Sequence, residues 1–78
     1  MNKAREKELR NLITKIEYCK NELEKIKSDE EYAFDNMPEN LQGSFRGEES
    51  ERIIDELEEI LEDYENLIDN LNDVLWRS

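Results

Sequence analysis

The chain has 78 residues, of which 22 are acidic and 11 basic, and its net charge is -11 at neutral pH. One small domain fits this length, whereas a compact α/β enzyme does not, and no apolar run approaches the roughly 20 residues that a membrane-spanning helix needs. The opening MNKAREKELR has no apolar stretch of the kind found in secretory signals. Histidine is absent and cysteine occurs once, so the commonest general base is missing and no internal disulfide can form. We therefore expect a non-catalytic protein without cofactor or metal that resides in the reducing cytoplasm and does not enter a membrane.

The first predicted element is a helix over about residues 2–36. This stretch contains neither Gly nor Pro and is rich in Lys, Glu, Leu and Arg, which favour helices. Ser28 and Glu31 have the spacing of a capping box that would start a new helix, but the apolar pattern keeps its phase across Ser28 and favours one continuous helix. That pattern alternates spacings of three and four, broken only by Glu30, and consists of Leu9, Leu12, Ile16, Cys19, Leu23, Ile26, Ala33 and Met37.

A connector over about residues 37–47 follows. Pro38 disfavours helical geometry at the preceding residue and so ends the first helix, and it can also open a single helical turn in PENLQ. Gly43 and Gly47 supply the backbone freedom that a reversal needs. Because the connector is short, the two long helices are predicted to run antiparallel.

The second long helix is predicted over about residues 48–76, with three apolar rows in its heptads. Two of these rows complete the predicted core, which comprises Leu9, Leu12, Ile16, Cys19, Leu23, Ile26, Ile53, Leu57, Ile60, Tyr64, Leu67, Leu71 and Val74. The third row is left for a partner and consists of Ile54, Leu61, Ile68 and Leu75. The prediction is an all-α antiparallel αα-hairpin in a single domain, residues 1–78, that dimerises into a four-helix bundle.

Carboxylates crowd the second helix. Residues 28–78 carry seventeen acidic and three basic side chains. This excess disfavours direct nucleic-acid binding, because phosphates would be repelled. The acidic face is either a solvated surface or, in a second hypothesis, a mimic of DNA phosphates that binds a basic DNA-binding protein. Its candidate residues are Asp55, Glu58, Glu59, Glu62, Asp63, Glu65 and Asp69.

The connector has the densest set of hydrogen-bonding side chains, namely Asp35, Asn36, Glu39, Gln42 and Arg46. They would either bind a partner or form the turn itself, since a sharp reversal must satisfy the free backbone groups of two helix ends. In the turn-forming interpretation Asp35 or Glu39 pairs with Arg46, Asn36 caps the turn, and Leu41 and Phe45 cover the end of the bundle.

The segment from Asp29 to Glu51 reads DEEYAFDNMPENLQGSFRGEESE. It contains the pattern A-x-D-N-x-P-E-x-L-Q-x-S-x-R-G-E, formed by Ala33, Asp35, Asn36, Pro38, Glu39, Leu41, Gln42, Ser44, Arg46, Gly47 and Glu48. In this pattern and the acidic heptads after it, the chain resembles a family of short, acidic, uncharacterised helical proteins of bacteria and mobile elements. Phe45 stands where that family has Glu, and Gly43 where it has Glu or Asn. The resemblance implies a helical hairpin and brings no assigned activity.

These observations favour a small acidic protein that acts through protein–protein contacts and self-associates. A mobile-element DNA mimic that inhibits a basic DNA-binding protein is the alternative, and a purely structural oligomerisation element is the third. Mimicry predicts salt-sensitive binding, whereas apolar docking survives moderate salt.

Overall fold

A computed structural model describes residues 1–78 as three helices, α1 (Lys3–Asp35), α2 (Glu39–Gln42) and α3 (Phe45–Arg77). The two long helices pack along each other, while the short α2 lies in the connector against α3. The molecule measures 59 × 15 × 12 Å between its outermost Cα atoms, the shape of one layer of two helices. The predicted all-α helical hairpin is confirmed. Neither long helix contains an apolar stretch that could cross a membrane.

Local sequence signals fix most of the helix ends. Asn2 caps α1, because its side-chain oxygen accepts a hydrogen bond of 2.8 Å from the backbone N–H of Arg5. The helix continues through Ser28 without a break, as its apolar phase predicted, and ends at Asp35, before Pro38. The second long helix begins at Phe45, about three residues earlier than expected, and includes Gly47 in its first turn.

Three polar contacts join the long helices and set their register. At the open end the Ser78 hydroxyl donates to a Glu6 carboxylate oxygen at 2.9 Å. Midway, Lys20 Nζ lies 3.4 Å from a Glu65 carboxylate oxygen. Near the connector the Ser50 hydroxyl donates to Glu30 at 2.8 Å. Glu30, the residue that interrupts the apolar pattern, therefore has a hydrogen-bond partner on α3.

The apolar rows that meet in the seam, the contact surface between α1 and α3, are not the two rows that were predicted to meet. Ile13, which the prediction omitted, is the one buried hydrophobic residue, at 4% exposure. On α3 the row assigned to a partner faces α1 instead. The partly buried apolar residues of the seam are Leu9, Ile16, Leu23, Phe34 and Met37 before the turn, and Ile54, Leu57, Leu61, Tyr64, Ile68, Leu71 and Leu75 after it.

Seven of the thirteen predicted core residues are correspondingly wrong, because on each helix one of the two predicted rows is exposed and the row beside it faces the other helix. The exposed residues are Leu12, Cys19, Ile26, Ile53, Ile60, Leu67 and Val74. The charges explain the choice: the observed pairing brings the stems of Lys20 and Lys27 to the seam, where they cover apolar surface and keep their ammonium groups beside carboxylates. The three apolar rows of α3 allow either pairing, and the observed one also brings Lys20 next to Glu65 of α3.

Candidate interaction surface

The two apolar rows that were predicted to lie in the core but are exposed in the structure form one continuous surface. On each helix the row occupies the position just before a seam residue, Leu12 before Ile13 and Ile53 before Ile54. Equivalent positions of two antiparallel helices lie on the same side of the hairpin, so the two rows are neighbours. We call this surface the apolar face and define it by Leu12, Cys19, Ile26 and Ala33 of α1 and Ile53, Ile60, Leu67 and Val74 of α3.

The apolar face is large for a chain of this size. Ile26 is 55% exposed, Leu12 48%, and Ile60 and Leu67 44% each. From Ile53 to Val74 its row on α3 runs about 30 Å at ~1.5 Å per residue. Contiguous exposed apolar patches of this extent are uncommon on monomers and mark docking sites. Between Ile60 and Leu67 the face has a shallow hollow, which Asp63 and Tyr64 complete.

The margins of this face are mostly acidic. The next row outward on α1 contains one basic residue, and the corresponding row on α3 contains none. These rows are Glu8, Lys15, Glu22 and Asp29 on α1, and Glu49, Glu56, Asp63 and Asn70 on α3. All of them except Glu49 are exposed. A partner on the apolar face would therefore bring its own charges close to these carboxylates.

The opposite side of the hairpin is charged. Lys20 lies there between Glu65, at 3.4 Å, and Glu24, at 3.6 Å. The hydrogen bond with Glu65 raises the pKa of Lys20, and the negative charges of Glu65 and Glu24 add to this effect, while burial opposes it. Farther toward the connector, Glu31 and Glu51 face each other across a groove on the same side. This side offers no apolar surface comparable with the apolar face.

The structure places the seven acidic-face residues in two groups. Asp63 borders the apolar face, and the others lie on the charged side and the back of α3. Only Glu65 has an ion-pair partner, Lys20. The full set, all of it exposed, is Asp55, Glu58, Glu59, Glu62, Asp63, Glu65 and Asp69. Apart from Asp63, the acidic and apolar surfaces can therefore be altered separately.

Two of the five connector residues satisfy backbone groups at the end of α1. The Asn36 side chain donates to the Tyr32 carbonyl at 2.8 Å. Gln42 Nε2 donates to the carbonyls of Phe34 and Met37, each at 3.1 Å. Gln42 thus folds the connector back onto the helix end and supplies donors to the Met37 carbonyl and to the Phe34 carbonyl, which also accepts from the backbone N–H of Met37.

The other three connector residues do not form the contacts expected in the turn-forming interpretation. Asp35, Glu39 and Arg46 are exposed, and the predicted ion pair of Arg46 with either acid is wrong. The expected cover for the end of the bundle is also wrong, because Leu41 and Phe45 are 42% and 79% exposed.

Gly47 is a structural residue whose packing the sequence pattern does not reveal. A Cβ atom at this position would lie 2.0 Å from the Gln42 carbonyl oxygen, so only glycine lets α3 approach the connector this closely. Its backbone φ is not positive. The available sequence signal, a glycine close to the start of a helix, predicts turn flexibility rather than this close approach.

Cys19 lies on the apolar face with an exposed thiol, and the chain has no histidine to activate it. No group of three or more carboxylate or thiol side chains is arranged to hold a metal ion. Comparison with family models, curated proteins and solved structures finds no match. The properties of the apolar face therefore carry the functional argument.

Proposed function

We propose that this chain is a small, non-catalytic protein–protein interaction protein and that the apolar face is its binding surface. The observation that supports this most is the alignment of two exposed aliphatic rows on the same side of the hairpin. Leu12 and Ile26 from α1 are more than 45% exposed, at 48% and 55%. Leaving such rows in water forgoes about 25 cal/mol for each Å² of apolar area that a partner would cover.

The charges support a division of labour between the two sides. On the charged side, Lys20 forms the ion pair that joins the two helices, with Glu65. The side that carries the apolar face has no interhelical ion pair and keeps its aliphatic side chains exposed. Apolar centres with charged margins are the usual composition of specific docking surfaces.

Mimicry of DNA by the acidic residues is the second candidate. Six of its seven candidate carboxylates on α3 are exposed and have no ion-pair partner, which favours this function. These six are Asp55, Glu58, Glu59, Glu62, Asp63 and Asp69. A rigid helix holds them in fixed positions, as a phosphate mimic requires. Charge alone argues about solubility as much as about binding, so this candidate ranks below the apolar face.

One pull-down with matched variants separates these functions. The apolar-face variant carries Ile26→Gln and Ile60→Gln, and the back-face control carries Tyr18→Gln and Tyr32→Gln at exposed positions that point away from α3. An acidic variant carries Glu59→Lys, Glu62→Lys and Asp69→Lys, which spares the Lys20 ion pair. Tagged baits are incubated with nuclease-treated lysate of the source cell containing a differently tagged copy of the same chain, and washed at low and high salt.

We expect the wild type and the back-face control to retain a partner protein through the high-salt wash. The apolar-face variant should lose that protein. Purified components should then re-form the complex in calorimetry. A partner that is released by salt and lost only by the acidic variant would instead establish the mimic. Equal retention of every captured protein by the apolar-face variant and the wild type, with normal helicity in both, would refute the proposed surface.

A further inference from the structure

We propose that a second copy of this chain occupies the apolar face, giving a four-helix bundle in which α1 of each chain packs against α3 of the other. This inference rests on the proposed function and names the partner for the same surface. Three properties of the hairpin support it: its thin core, the dimensions of the face, and the unequal charges of its helices.

The hairpin alone has too little interior. Ile13 is its one buried hydrophobic side chain, and two residues of 78 are buried in all. A chain this short rarely encloses enough apolar surface in a single core to be stable alone, and small folds of this kind gain stability by oligomerisation. Packing two hairpins face to face would enclose the seam residues and the apolar face in a common core.

The dimensions of the face suit such a dimer. A second hairpin lying along this side would cover at most the 59 × 15 Å outline of the first, close to the area of about 800 Å² that each partner contributes to a stable interface, and the apolar face would form the central ~30 Å of that contact. The self-complementary interface of a twofold dimer requires one continuous patch on each copy. The apolar face provides this patch, because both of its rows lie on one side.

The charges select between the two ways of stacking the hairpins. α3 contains twelve acidic and three basic residues, whereas α1 contains nine acidic and eight basic. A twofold axis across the helices would place the two α3 helices side by side and concentrate their negative charge. An axis parallel to the helices instead places each acidic α3 against α1 of the other copy, whose acidic and basic residues are nearly balanced. In this arrangement all neighbouring helices are antiparallel and both connectors lie at the same end.

Sedimentation equilibrium and spin-label distances test the inference on the intact chain. Sedimentation at micromolar concentration should give twice the chain mass for the wild type and the back-face control. The apolar-face variant should dimerise at least about a hundredfold more weakly, because four isoleucines leave the interface of the dimer. For distances, Asn40→Cys in a Cys19→Ala background carries one nitroxide on the exposed connector helix of each chain.

The expected label separation is about 20–25 Å, two helix diameters, because the connectors share one end. A separation near the full length of 59 Å would overturn the proposed packing of α1 against α3. A monomer mass for the wild type would overturn the second copy as the occupant. In that case the pull-down tests the proposed function separately. If the wild type captures a different partner that the apolar-face variant loses, the apolar face remains the binding surface. If no such partner is found, both the second copy and the proposed binding surface are refuted.

Discussion

Gly47 and Gln42 together form the turn of this molecule. The Gln42 amide binds two carbonyls at the end of α1, which brings its own backbone against the first turn of α3. The space that remains beside its carbonyl oxygen is smaller than a methyl group needs. A single residue without a side chain therefore allows the connector, the end of α1 and the start of α3 to meet.

Gly47→Ala should consequently destabilise the protein by about 1–3 kcal/mol, the usual cost of forcing a methyl group into packed surroundings. The expected sign is informative, because alanine in an exposed helical position stabilises by up to ~1 kcal/mol relative to glycine. Gly43→Ala is the matched control: no atom lies within 4 Å of the position that its methyl group would take, so it should be neutral or slightly stabilising. Urea unfolding followed by circular dichroism measures both, and equal stability of the two variants would contradict this role for Gly47.

Lys20 is the residue through which the two long helices interact electrostatically. Because Glu65 and Glu24 raise its pKa, the charged amine is favoured in the folded state. The resulting stabilisation is present below the ordinary value of 10.5 and is lost as the pH rises through the raised pKa. We expect Glu65→Gln to lower the pKa of Lys20 most and Glu24→Gln to lower it less, as measured by NMR titration of the side-chain amine. A larger effect of Glu24→Gln would show that the contact across the helices is not the main cause.

At the scale of the elements, the sequence predicted the helices and the reversal but not the faces that meet. The Gly- and Pro-free heptads define α1, and Pro38 accounts for its end. The row of Leu12, Cys19 and Ile26 is more apolar than the seam row that contains Ile13, Lys20 and Lys27, so hydropathy alone favoured the wrong one. The correct row depends on lysine stems that cover apolar surface and on the ion pair of Lys20 with Glu65 of the neighbouring helix. Such contacts between helices are not visible in the periodicity of either helix.

The candidate surface was predictable in kind but not in position. Three apolar rows on α3 indicated that one row would remain for a partner, and the structure leaves Ile53, Ile60, Leu67 and Val74 exposed in place of the expected row. The contribution of α1 depends on the register of the two helices, which the periodicity of α1 does not determine. Connector residues such as Arg46 were grouped by composition, and the pairs inferred from that grouping did not form.

At the scale of the whole molecule, the net charge of -11 opposes the apolar attraction between copies. In the proposed bundle Glu22 lies near Asp63 of the second chain and Asp29 near Glu56, each contact occurring twice, whereas Lys15, the one basic residue of these margins, lies opposite the neutral Asn70. Like-charged pairs at exposed margins cost roughly 0.2–1 kcal/mol each at low salt. The Debye length falls from about 10 Å at 0.1 M salt to about 3 Å at 1 M, so salt relieves this repulsion and leaves the apolar contact in place.

The dimer should therefore tighten as salt is added. Relief of these four repulsive pairs, at ~0.2–1 kcal/mol each, would lower its dissociation constant at least about fourfold, and the unfolding temperature should rise with protein concentration at every salt level. Sedimentation equilibrium at low and high sodium chloride measures the first quantity, and thermal unfolding at several chain concentrations the second. Glu22→Gln with Asp29→Asn should tighten the dimer at low salt and reduce its salt dependence, because it removes the same repulsion chemically. A dimer that weakens with salt would mean that opposite charges hold the copies together, and the packing of apolar faces would then be the wrong description of the assembly.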